Sequence, residues 1–101
     1  MRILMQVRFP IEPFNSYVKD GSAGGRIQKI LAELKPEAVY FTDSEGQRSG
    51  YIVVNIENES QVPVLAEPWF LGFSARVELH VAMTPEDLGR SGLDALGKKW
   101  A

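Results

Sequence analysis

The sequence predicts an α+β fold in which one antiparallel sheet carries helices on a single face, and three observations support it. Residues 2 to 9 alternate, with Ile3, Met5, Val7 and Phe9 on one side and Arg2, Leu4, Gln6 and Arg8 on the other. That period of two marks a strand with one buried face. Residues 74 to 83 repeat the pattern, with Ala75, Val77, Leu79, Val81 and Met83 opposed to Ser74, Arg76, Glu78 and His80. Between these strands, Ile27, Ile30, Leu31 and Leu34 fall at i, i+3, i+4 and i+7, one apolar stripe along a helix.

The remaining elements follow in order. Pro10 and Pro13 stop the first strand, and Phe14, Tyr17 and Val18 then have helical spacing. The run "KDGSAGG" breaks that piece and reads as a flexible joint before the Ile27–Leu34 helix. Lys35-Pro36 ends this helix, because a residue before proline is pushed out of the helical region. "EAVYFTD", the turn "DSEGQ" and "RSGYIVVNIEN" make residues 37 to 57 a hairpin. Ser60 is the expected cap of a second helix through Val62, Leu65 and Ala66, and Pro68 is expected to end it within a residue or two. After the last strand, Thr84-Pro85-Glu86-Asp87 has the hydroxyl cap, early proline and first-turn acids of a helix start. Gly89, Gly92 and Gly97 weaken this tail helix, so it needs something to pack on, through Leu93, Leu96 and Trp100.

The order β-α-β-β-α-β plus a tail helix is the pattern of the ferredoxin-like fold, in a single domain over residues 1–101. Helices on one face would cover Ile3, Met5, Val7, Val39, Phe41, Ile52, Val54, Val77, Leu79 and Val81. The other face collects Leu4, Gln6, Arg8, Tyr40, Tyr51, Val53, Asn55, Arg76, Glu78 and His80.

Composition narrows the class. Apolar residues make up 45% and charged residues 24% of 101, enough for a core without metal or disulfide support. A net charge of −2 gives no field to gather phosphate backbones, so nucleic acid is not an expected partner. The absence of cysteine excludes a thiol nucleophile and suits a reducing cytoplasm, the expected location. Arg2, Gln6 and Arg8 interrupt the apolar residues of the opening segment, which is expected to be a strand and does not resemble a membrane span or a leader.

The open face mixes long polar side chains with two tyrosines, Leu4 and Val53, where a fully solvated sheet would carry more Lys, Glu and Thr. Packing it against the same face of a second copy gives an isologous homodimer with a partly polar cavity between the sheets. The alternative is a monomer with one wet face. Strand order and length resemble the dimeric α/β-barrel superfamily of small ferredoxin-like proteins, which includes cofactor-free monooxygenases and muconolactone isomerases. "KDG", "LAELKPEAVYFT", "AEPWF" and "ELHVAMTPEDL" are similar to a group of short bacterial proteins with no assigned activity. The resemblance implies the fold and the dimer, and transfers no active-site residue.

Within the pocket, His80 is the chain's one residue of the type suited to general acid–base work near neutral pH, with Glu78 two residues away on the same side, about 7 Å along the strand. The pair could act as general base and orienting carboxylate. As plain cross-dimer polar contacts they are the favoured reading, since structural pairs perturb histidine as readily. Arg8 and Arg76 could hold a carboxylate or enolate with bidentate geometry, unless one pairs with Glu78. Tyr40, Tyr51, Trp69 and Phe70 could wall a flat apolar substrate, although Trp69 and Phe70 are better read as packing under the second helix. Glu67 is placed where that helix should stop, at a cavity mouth, and Asn55 completes the candidate ligand-binding set. "GSAGGR" lacks the Gly-Lys-Ser/Thr of a phosphate loop, and one histidine without cysteine argues against zinc, leaving carboxylate-bound magnesium open. No cofactor is expected. The sequence reading is a homodimer with a small-molecule pocket, with proton transfer or cofactor-free oxidation as the enzymatic alternative.

Overall fold

The computed structural model describes residues 1–101. Strands β1 (Arg2–Arg8), β2 (Ala38–Ser44), β3 (Gln47–Asn55) and β4 (Arg76–Val81) form one sheet in the order β2-β3-β1-β4, antiparallel at every neighbouring pair. Helices α1 (Ile11–Lys19), α2 (Ala23–Leu34) and α3 (Val62–Phe73) pack on one face, and α4 (Pro85–Gly89) and α5 (Leu93–Trp100) follow β4. This α+β arrangement is consistent with the expected ferredoxin-like fold. No helix is long and apolar enough to cross a membrane.

The core sits where alternation places it. Ile3, Met5 and Val7 of β1 lie beside Val54, Ile52 and Gly50 of β3 and beside Val81, Leu79 and Val77 of β4. Phe14, Tyr17, Ile27, Ile30, Leu31, Leu34, Leu65, Trp69 and Phe73 press on this side from the helices. Phe9, at the end of β1, meets Phe14, Trp69 and Phe73 edge-on at centroid distances of 5.1, 5.8 and 5.2 Å. Each such pair contributes about 0.5–1.5 kcal/mol beyond area burial. Phe41 and Val81 share the helix-side parity yet stay more than half exposed, because both lie on edge strands.

The hairpin turns through Glu45 (φ 53°) and Gly46 (φ 79°). Two successive left-handed residues match the strand twist, and glycine takes the second at no steric cost. Lys35 ends α2 in the left-handed region (φ 48°), outside the right-handed helical conformation that the following proline disfavours. At the start of α4, Thr84 Oγ1 accepts from the Asp87 N–H at 3.1 Å, and the Asp87 carboxylate accepts from the Thr84 N–H at 3.0 Å. This is the reciprocal cap expected there.

Four expectations are corrected. Ala23, Gly24 and Gly25 form the first turn of α2 rather than a joint, with Ala23 buried. Two glycines weaken that turn by about 1 kcal/mol each, which the stripe from Ile27 to Leu34 offsets once packed. Helix α3 runs through Pro68 to Phe73. Burial of Trp69 and Phe73, neither with measurable exposure, outweighs the one backbone bond that proline cannot donate. Ser60 does not cap α3 but lies inside a short turn, Glu59–Gln61, that leads into it and is itself capped by Asn58. Asn58 Oδ1 accepts from the Ser60 N–H, and Gln61 Oε1 reaches back to the Asn58 N–H. The tail forms two helices, because Gly92 (φ 77°) turns the chain between α4 and α5.

Candidate functional site on the open sheet face

Side chains of even number in β1 point away from the helices, and register arranges the open face in rows. Ala38, Val53, Leu4 and His80 form one row; Tyr40, Tyr51, Gln6 and Glu78 form the next; Thr42, Ser49, Arg8 and Arg76 form the third. Two like charges, Arg8 and Arg76, therefore stand directly opposite, which is unfavourable. Arg8 relieves this by leaning along the diagonal. Its Nη1 donates to Glu78 Oε1 at 2.7 Å, Nε to Ser44 Oγ at 3.3 Å and Nη2 to Gln6 Oε1 at 3.4 Å. Gln6, nearly buried beneath these long neighbours, donates from Nε2 to the Tyr51 hydroxyl at 3.0 Å.

Glu78 is the junction of this network. Its second oxygen, Oε2, lies 3.4 Å from His80 Nε2. Hydrogen bonding from His80, then from Arg8, holds the Glu78 carboxyl below its ordinary range. A carboxylate at Nε2 favours the proton on that nitrogen and leaves Nδ1 to accept one. The His80 side chain is 62% exposed, so the ring is open to a ligand approaching from the sheet normal.

Arg76 makes no ion pair or side-chain hydrogen bond, which leaves it as the face's uncommitted cation. Tyr40, across the sheet on β2, is 71% exposed. Asn55 is drawn into a separate cluster at the other end of the face, donating to Glu37 Oε1 at 3.3 Å. Arg2 donates to the same carboxylate from Nε and Nη2 at 3.1 and 3.0 Å, and these bonds hold the Glu37 carboxyl low.

Of the candidates, His80, Glu78, Arg8, Arg76, Tyr40, Tyr51 and Asn55 share the open face, whereas Trp69 and Glu67 do not. Trp69 is sealed in the core on the opposite side of the sheet. Glu67 lies mid-helix on the exposed side of α3, since the helix does not stop there. Sequence reasoning missed Glu37, Ser44 and the bridging role of Gln6. No three His, Asp or Glu side chains gather so as to hold a metal ion. None of the four surface clefts includes Tyr40, Tyr51, Glu78 or His80, so this face is a surface in the single chain.

No family model matches the chain, and no curated protein matches it. Among solved structures it is similar to the "De novo designed protein Ferredog-Diesel", at 12% identity and a TM-score of 0.48, over 80% of this chain and 85% of that one.

Proposed function

We propose that two copies pack through their open sheet faces as a homodimer of the dimeric α/β-barrel kind, enclosing a pocket for a small, partly apolar, acidic molecule. The carrying observation is the uneven pairing across this face. Arg8, Gln6, Tyr51 and Glu78 are bound to one another, while Arg76 and the ring of Tyr40 are left without partners. Closing the face with its twin turns a surface into a cavity, where Arg76 would take a carboxylate in a bidentate grip and Tyr40 would cover an apolar body. Light scattering tests the first step: a dimer at micromolar concentration is expected, and a monomer there overturns the enclosed pocket. Titration with benzoate, followed by NMR, tests the second, with Arg76 and His80 expected to shift and Arg76→Ala to lose the response.

A catalytic reading is favoured by one distance, the 3.4 Å between His80 Nε2 and Glu78 Oε2. In it His80 would take a proton through Nδ1 and Glu78 would orient the ring, the chemistry of a cofactor-free isomerase or monooxygenase. A His80 ring whose titration does not respond to bound carboxylate would leave the pair a structural contact of the dimer.

A further inference from the structure

Two helical faces of this chain are apolar and uncovered. Helix α3 is apolar round most of its circumference. Leu65, Ala66, Trp69 and Phe73 face the core, while Val64, Phe70 and Leu71 face outward at 62%, 42% and 83% exposure, with Glu67 among them. A helix apolar on all sides is ordinarily enclosed. Helix α5 is the second. Leu93, Leu96 and Trp100 fall at i, i+3 and i+7, all exposed, with Lys99 flanking the stripe and Lys98 on the opposite side of the helix.

The two stripes match in length and carry opposite charge. Val64 to Leu71 and Leu93 to Trp100 each span i to i+7, and neither Glu67 nor the two lysines has an ion-pair partner. Helix α5 does not lie on α3 of its own chain. Every residue from Ser91 to Ala101 is exposed, and the molecule is 59 Å long against 29 and 19 Å across. Its radius of gyration is 16.9 Å, against about 13 Å for a domain of this length. The last two helices thus form an arm that leads away from the body.

We infer that α5 of one copy docks on the outer face of α3 of a second copy, and reciprocally, so that a pair of chains exchanges arms. Leu93, Leu96 and Trp100 meet Val64, Phe70 and Leu71, and Lys99 meets Glu67. Two-fold symmetry makes the contact twice. Together the two arms bury roughly 1,000 Å², the least that a specific interface requires. This contact uses the helix layer and is independent of the sheet-face contact proposed above.

The test is zero-length carbodiimide cross-linking of a refolded one-to-one mixture of ¹⁵N-labelled and unlabelled full-length chains, read by mass spectrometry. Links from Glu67 to Lys99 are expected, about half of them between differently labelled peptides, as random pairing of two copies dictates. Links confined to equally labelled peptides, or no such links, overturn the inference. Leu71→Asp spoils the α3 face and Leu96→Asp spoils the arm, both at exposed positions, so each alone is expected to lose the links at least tenfold. Mixing the two variants restores links in one direction only, from Lys99 of the Leu71→Asp chain to Glu67 of the Leu96→Asp chain. Absence of that restoration also overturns it. Tyr40→Arg, aimed at the sheet face, is expected to leave the links in place.

Discussion

Replacing Trp69 separates two physical contributions that one side chain combines. Trp69 has no measurable exposure and packs on Phe9 and Phe73 at centroid distances of 5.8 and 6.1 Å. Its indole N–H is also buried, with no hydrogen-bond partner. Trp69→Ala removes the ring from a closed core and is expected to cost about 3–5 kcal/mol. Trp69→Phe keeps one ring against the same aromatic neighbours and deletes the orphaned donor, whose burial costs about 1–3 kcal/mol. That gain offsets much of the lost area, so the net cost is expected to stay below about 2 kcal/mol. Urea unfolding followed by far-ultraviolet circular dichroism, with the slope unchanged, reads both differences from the midpoints. A Trp69→Phe variant as unstable as Trp69→Ala would refute the reasoning, because it would mean that the N–H is satisfied.

Three further expectations concern other elements. Pro68→Ala should raise stability by about 1–3 kcal/mol, since alanine supplies the N–H that the Val64 carbonyl lacks and fits the helical backbone already present; a lowered melting temperature would contradict this. For Glu78, the folded pKa lies below the ordinary 4.5, so its stabilisation is complete above that value and is lost as pH falls through the lower folded value. Glu78→Gln should therefore be less stable than the parent near neutral pH, with the difference shrinking as the solution is acidified; a constant difference would remove the linkage. Thr84→Ala should free the Asp87 N–H from its cap and speed its hydrogen exchange, while leaving the global melting temperature nearly unchanged, because α4 lies outside the core.

How much of this was legible in the chain depends on the range of the signal. Ile3, Met5 and Val7 announce a buried strand face because a two-residue period is local, and Thr84 announces its helix because both halves of the cap lie within four residues. Arg8, Glu78 and His80 could be put on one face by parity alone. Their actual pairing could not, since it follows from the antiparallel register that sets Gln6 opposite Glu78 and Arg8 opposite Arg76. Glu37 was hidden for a related reason: its partner Arg2 is 35 residues away, and Glu37 precedes β2, where alternation says nothing. Asn58 and Gln61 did leave a signal, the Asn-x-x-Gln spacing of a capping box, which Ser60 obscured. Gly24, Gly25 and Pro68 misled in the opposite direction. Each carries a true local penalty, and each sits in a helix whose neighbours Ile27 or Trp69 gain more by packing than the backbone loses.

The two tryptophans stand at opposite ends of the solvent scale. Trp69 has no measurable exposure and Trp100 is 76% exposed. The chain thus carries a matched pair of native optical probes. The emission of Trp69 will redden only when the interior opens to water, whereas that of Trp100 will shift to the blue whenever the tip of the arm is covered. One spectrum, recorded against concentration and then against denaturant, can follow association and unfolding as separate events without any attached dye.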